Sequence, residues 1–198
     1  MKHQIILADC PWPYASRAHH SKTRFGGGVH GQYQVMSIKD LARLPIWDVA
    51  AKDALLFLWV TGPHLANAFT LISAWDFSFV TNAFTWMKQN KSGKGLFFGV
   101  GAYSKSNAEF CLLAKRGKTL LPATNSVSSA VLSPVEAHSK KPSQVAERIE
   151  KMYPNLSKLE LFARQQRDGW LCLGNEITGN DIRVDLDLLT RKELQCTT

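Results

Sequence analysis

Apolar residues in this chain come as short unbroken runs separated by polar and glycine-rich stretches. Ile5-Ile6-Leu7-Ala8 within residues 4–9, and Ala54-Leu55-Leu56-Phe57-Leu58-Trp59-Val60, are continuous runs. Such runs mark strands covered on both faces. Further strands are expected at 78–87, 108–115, 158–163 and 169–174. Helical spacing appears in between. Ser37 is placed to cap a helix over 38–44 that Pro45 stops. Leu65, Phe69 and Ile72 share one face of a helix over 64–74. Pro142 opens a helix over 143–152 with Val145, Ile149 and Met152 as its buried stripe. The tail from Ile177 reads as a strand near 182–186 and a short helix. Alternating strands and helices imply an α/β fold, a mostly parallel sheet with helices on both faces. Ligands in such sheets bind at the strands' carboxyl ends. Asp9, Arg164 and Asn175 each stand just past an expected strand, so the topology can bring them to one rim.

The polar segments change the picture at three places. Residues 13–35 carry Arg17, Lys22, Arg24 and Gly26-Gly27-Gly28, and form a long loop of the kind that is functional or mobile. His19, His20 and His30 lie in it without a metal-ligand spacing, so no metal is expected. No Gly-Lys-Ser/Thr follows the glycines, so it is not a phosphate-binding loop. Residues 89–103, with Lys88, Lys91 and Lys94 close by, suit either a phosphate backbone or a plain solvated connection. Residues 119–129 read as loop, and Val131 and Leu132 lead into the polar segment His138-Ser139-Lys140-Lys141.

Composition sets the outer bounds. The 198 residues suit one domain, with a core over about 4–177 and a tail at 178–198, and 45% hydrophobic residues with six tryptophans suit a packed globule. A formal charge of +8 and a pI near 9.4 fit a polyanionic partner such as nucleic acid, or simply a basic soluble protein. Cys10, Cys111, Cys172 and Cys196 form no C-x-x-C pair and read as reduced thiols. No membrane-spanning run and no leader are expected, which points to the cytoplasm.

The stretch with chemistry in it is Asp9-Cys10-Pro11-Trp12, at the end of the first apolar run. The proline stiffens the turn and fixes its carbonyls. The indole offers a face for a ring to stack on. An acid and a main-chain carbonyl can each take one hydrogen of an aromatic amine, turning its lone pair toward a methyl donor. The barrier then falls through positioning and aimed electrostatics, without a covalent intermediate. Taken alone, the same four residues fit an acid capping a turn and a tryptophan packed as core.

Several segments, in order, resemble one family, the MT-A70 (METTL-type) adenine-N6 methyltransferases. Ala8-Asp9-Cys10-Pro11-Trp12 is similar to the family's Asp-Pro-Pro-Trp. Tyr33 to Met36, Leu56 to Gly62, Thr85-Trp86-Met87-Lys88, Glu109 with Leu112-Leu113 and Arg116-Gly117 follow. His138 to Pro142, Glu160 to Arg164, Gly169-Trp170 and Gly174-Asn175-Glu176 complete the set. The resemblance implies a Rossmann-like methyltransferase fold with S-adenosyl-L-methionine as cofactor, the catalytic motif first in the chain and the cofactor segment last. Carried over by position, Asp9, Cys10, Pro11 and Trp12 are catalytic and hold the adenine, and Tyr33 lines the acceptor pocket. Asp9 also borders the cofactor. Lys141 pairs with the cofactor's carboxylate, and Arg164, Gln166, Asn175 and Glu176 serve its ribose region.

Cys10 departs from the family's first proline and loosens the turn while keeping a carbonyl there. The resemblance implies methylation of adenine N6 in DNA by a bacterial or phage member, as a monomer or homodimer, with a heteromeric partner still open. RNA as substrate, a non-catalytic nucleic-acid-binding subunit, and methylation of a protein glutamine amide are the competing expectations. The Asp and Trp of the turn favour a purine over the amide.

Overall fold

The computed structural model describes residues 2–13, 35–101, 103–136 and 140–195. Seven strands join in one sheet: β1 (His3–Ala8), β2 (Ala50–Thr61), β3 (Ser78–Gln89), β4 (Ala108–Arg116), β5 (Ala130–Pro134), β6 (Lys158–Leu161) and β7 (Trp170–Leu173). Their order is β5-β3-β4-β2-β1-β6-β7. β1 lies parallel to β2 and β6, β7 continues parallel to β6, and β5 pairs parallel with β3. Only β4 runs the other way, antiparallel to both β2 and β3. The mostly parallel, Rossmann-like α/β architecture expected from the sequence is the one observed.

The unbroken apolar runs have the reason inferred for them. Side chains alternate across a strand. In β1, Ile6 and Ala8 enter one core while Ile5 and Leu7 enter another; in β2, Leu56, Leu58 and Val60 face the first and Leu55, Phe57 and Trp59 the second. The first core is closed by α1 (Ile38–Ala42), α2 (Ile46–Val49), α3 (Leu65–Ala74) and α6 (Ile182–Gln195), through Leu41, Ile46, Leu71 and Leu186 among others. The second is closed by α4 (Ser143–Met152), through Val145, Ala146 and Ile149. Ser37 caps α1 as its sequence suggests, accepting from the Asp40 N–H at 3.1 Å.

The structure corrects the reading at both ends of the sheet. Residues 182–186 are helix, not strand. Their alternation Ile-Arg-Val-Asp-Leu imitates a period of two, yet Ile182 and Leu186, one helical turn apart, are the buried pair, and Val184 is exposed. Asp185, between them, is buried because Thr178 Oγ1 and Asn180 Nδ2 donate to it at 2.7 and 3.0 Å. The edge strand β5 has only Val131 and Ser133 buried, too short a pattern to stand out from its loops. Tyr33, the histidines and basic residues of 14–34, and His138 lie outside the described residues. Among the described residues no helix is long and apolar enough to cross a membrane.

Candidate active site

β1 is central in the sheet, so the turn that follows it opens at the middle of the carboxyl rim. Asp9 still bonds backward, its N–H reaching Leu161 O at 3.5 Å. Cys10 O accepts from the Trp12 N–H at 2.9 Å, a three-residue turn, and Pro11 O accepts from the Met36 N–H at 3.0 Å. The Trp12 indole donates through Nε1 to Trp59 O at 3.1 Å and stacks on His64 with ring centroids 5.3 Å apart. Trp12 is 5% exposed, its ring tied to β2 by that hydrogen bond and laid against His64. Burial and the neighbouring Asp9 charge push the Cys10 thiol well up, so it stays a neutral thiol.

Asp9 heads a chain of four alternating charges. Lys141 Nζ donates to Asp9 Oδ2 at 2.7 Å and lies 3.4 Å from Glu109 Oε2, and Glu109 Oε1 in turn accepts from Lys88 Nζ. Lys141 also stands 5.9 Å from the Trp59 ring centre, and Lys88 5.1 Å from that of Trp86. Burial raises the Asp9 carboxyl above its ordinary range, against the pull of Lys141. Burial works against the charge on Lys141 as well, but Asp9 and Glu109 together outweigh it and hold the lysine protonated. Burial likewise opposes the charge on Glu109, and here Lys141 and Lys88 win and keep it below the usual carboxylate range. Two acids and two bases sum to zero, which is how four poorly hydrated charges coexist.

A cavity of about 280 Å³ adjoins Asp9, near the lower limit of small-molecule pockets at roughly 300 Å³. Its wall mixes apolar, aromatic and ionised side chains. Leu7, Pro142, Val145 and Ala146 are apolar, and Trp59 and Phe162 aromatic. Lys140, Lys141, Arg164 and Arg167 are basic, Asp9, Glu160 and Glu176 acidic, and Gln165 polar and neutral. Arg164 Nε faces Glu176 Oε1 at 3.7 Å, and Arg167 Nε faces Glu160 Oε2 at 3.4 Å. Burial raises Glu160, with Arg167 opposing.

The far wall depends on a backbone irregularity. Phe162 sits at φ 60°, an uncommon conformation for a bulky side chain that costs about 1–3 kcal/mol. It reverses the alternation of β6: Leu159 and Leu161 face the first core, yet Ala163 enters the second. The kink is held where Ala163 N–H reaches Leu173 O at 2.9 Å. Gly174 completes it, because a Cβ there would stand 2.5 Å from Ala163 O. Chain beyond β7 therefore passes close over β6 and delivers Glu176, in α5 (Asn175–Thr178), opposite Arg164.

Of the residues singled out in the sequence, Asp9, Lys141, Arg164 and Glu176 share this cavity. Cys10 and Trp12 are buried beside it in the turn. Asn175 opens α5 and Gln166 follows β6, both exposed and both outside the cavity wall. Glu109, Glu160 and Arg167 have no role in the sequence reading, and Lys88 stands there only as a possible phosphate contact beside residues 89–103. Glu109 had a findable signal, a lone acid at the start of an apolar strand. It reaches the site from a strand's amino end, because the reversed β4 brings that end to the same rim. Among the described residues no His, Cys, Asp and Glu group could hold a metal ion.

Comparison with known proteins agrees with this arrangement. The MT-A70 family model matches residues 3–176. The Type II methyltransferase M.MunI of Mycoplasma sp is 34% identical over 196 residues, covering 92% of this chain and 81% of that protein. The human N(6)-adenosine-methyltransferase catalytic subunit METTL3 is 26% identical over 193 residues, 96% of this chain but 30% of the human protein. A probable N(6)-adenosine-methyltransferase MT-A70-like protein of Oryza sativa subsp. japonica is 28% identical over 88% of this chain and 23% of its own length. A match running from the first strand to the helix after the last, on a mostly parallel sheet with its acidic turn at the central rim, places the chain in the MT-A70 family of methyltransferases.

Proposed function

We propose that this chain methylates the exocyclic N6 amine of adenine in DNA, with S-adenosylmethionine as methyl donor. The observation that carries the reading is Asp9. It is a carboxylate at the carboxyl rim of the sheet, anchored by a hydrogen-bonded turn and opening onto a cavity whose lining joins paired acids and bases to apolar and aromatic side chains. That mixed lining suits the cofactor, which combines a carboxylate, a ribose diol and an apolar purine. Lys141 would hold the carboxylate, Arg164 and Glu176 the ribose region, and Leu7, Val145 and Ala146 the apolar part. Gln166 and Asn175 are proposed as ribose contacts on the family pattern alone. Bound there, the cofactor would supply a methyl group on a positively charged sulfur for transfer to the amine nitrogen.

The chain's own residues prepare the amine. A carboxylate has about four acceptor sites, so Asp9 can take an amine hydrogen without surrendering Lys141. Cys10 O uses one lone pair on Trp12 N–H and keeps a second for the other amine hydrogen. Held at both hydrogens, the nitrogen turns its lone pair out of the ring plane. Charge that grows on the amine is met by the Asp9 carboxylate, which accepts a proton readily because burial has already raised it. Trp12 acts here by fixing the turn, and Glu109 by holding Lys141 in place.

DNA is favoured over RNA because the more similar relative is the type II methyltransferase, of comparable length. The relatives named as adenosine methyltransferases support RNA as the second reading. Transfer of a labelled methyl group from S-adenosylmethionine to duplex DNA, single-stranded DNA and RNA separates the two. Label in DNA at adenine N6 is the expected result. Label in RNA only would replace the substrate, and label in none of them would end the proposal.

A further inference from the structure

The connection between β3 and β4 belongs to neither core. It leaves β3 at Gln89 and re-enters the sheet at Ala108, at the rim that carries Asp9. It is built as two successive closed turns. Phe97 N–H returns to Lys88 O at 2.8 Å, and Asn90 N–H reaches Gly95 O at 3.2 Å. Beyond that, Gly99 N–H bonds Ser106 O at 2.9 Å. The second turn depends on bare glycine: a Cβ on Gly101 would lie 1.9 Å from Ser104 O, and one on Gly99 2.4 Å from Ser106 O. Backbone bonds thus give this segment a defined shape although few of its side chains are packed.

What it displays is unlike the rest of the surface. Phe98 is 68% exposed and Tyr103 fully so, with Val100 between them at 92%. Lys91, Lys94 and Lys105 are interleaved, all exposed, and residues 89–107 contain no acid at all. Among the described residues none of these three lysines meets a carboxylate. Rings alternating with uncompensated cations suit a single strand of nucleic acid, whose bases stack on aromatic faces and whose phosphates draw in lysine. They suit a protein partner poorly, since lysine is depleted at protein interfaces.

We infer that residues 89–107 form a strand-binding arm, on which Phe98 and Tyr103 stack bases flanking the target adenine while Lys91, Lys94 and Lys105 neutralise the phosphates beside them. The arm's position supports this. Lys88, at its root, is joined through Glu109 and Lys141 to Asp9, so a strand held on the arm runs past the acidic turn. A base taken out of its stack needs its neighbours held, and this is where they would be held. The inference rests on the proposed polynucleotide substrate and goes beyond it by naming where the strand lies.

Fluorescence anisotropy with a short labelled single-stranded oligodeoxynucleotide tests it, run beside calorimetric titration of S-adenosylmethionine and sedimentation. Phe98→Ala with Tyr103→Ala is expected to weaken oligonucleotide binding at least about fivefold per ring, with cofactor binding unchanged. Lys91→Gln, Lys94→Gln and Lys105→Gln together are expected to flatten the slope of log affinity against log salt by about 2. If the unaltered protein binds the oligonucleotide and both variants bind it equally well, the arm is refuted and the substrate reading stands. If the unaltered protein binds no DNA or RNA oligonucleotide, the substrate reading falls and the arm with it. A dimer that the ring substitutions turn into a monomer, with oligonucleotide binding unaltered, would make the arm an interface between copies and overturn the inference.

Discussion

Two groups of charges lie within one loop of each other and are handled in opposite ways. At the rim, Asp9, Lys141, Glu109 and Lys88 are buried or half-buried and every charge meets an opposite one. On the arm, Lys91, Lys94 and Lys105 face water, with no acid among residues 89–107. Burial makes an unpaired charge costly, so the rim must be neutral before anything binds. Exposure makes an unpaired charge cheap, so the arm can keep its cations for something outside the chain. The rim is organised to hold a small geometry still; the arm is organised to attract.

Substitution of the acid should separate the two regions most sharply. Asp9→Asn keeps the shape of the turn but weakens the acceptor and removes its charge. Methyl transfer measured with labelled cofactor should fall on the order of 10²–10³-fold. Oligonucleotide affinity, read by anisotropy, should stay within about twofold. A transfer rate near that of the unaltered protein would remove Asp9 from the mechanism.

Next in size is an effect on the fold. Glu109→Gln leaves Lys141 and Lys88 with one acid between them. The loss should be about 3 kcal/mol, seen as a thermal midpoint lower by roughly 6–12 °C. Combining Glu109→Met with Lys88→Met restores neutrality and should recover much of it. Lys94→Gln on the arm should change stability by less than about 0.5 kcal/mol. Equal losses at the two places would erase the distinction drawn between them.

The smallest effect is a displacement along the pH axis. Asp9 is raised in the folded chain, so it takes up its proton early as pH falls, above the ordinary aspartate range. That protonation costs the fold nothing, because a buried acid is more stable neutral. Glu109 is lowered, so the stability it contributes is complete above the ordinary glutamate range and is lost only as pH falls through its lower folded value. Activity should therefore disappear, reversibly, at a mildly acid pH where circular dichroism still shows the native fold. Coincident loss of both would assign the acid limb to unfolding. Arm binding should respond to salt far more than to this pH change.

Much of this architecture could be read from the chain because β1 over residues 5–8 and β2 over residues 54–60 are covered on both faces and so are apolar throughout. α4 was legible through its stripe Val145 and Ile149 and the proline before it. The misread elements lie where burial is one-sided or partial. α6 buries one apolar residue per turn, Ile182 and then Leu186, so its apolar and polar positions alternated like a strand's. At the site, the expected topology brings Asp9, Arg164 and Asn175 to one rim because each stands just past a strand, whereas Lys141 and Glu176 join them only through the family resemblance. Glu109 could not be placed there, because nothing local announces that β4 runs backward. Nor does anything local announce that Trp12 would be sealed against His64.

That single backward strand has a further consequence. A parallel crossover would carry the chain from β3 to the opposite end of the sheet before it could pair again. An antiparallel neighbour makes it double back on the spot, so the fold always supplies a hairpin tip at the reactive mouth. Doubling the length of such a tip costs only about 0.6 kcal/mol of closure entropy. The tip is therefore an interchangeable fitting: its length and decoration can be rewritten while the seven strands beneath remain untouched.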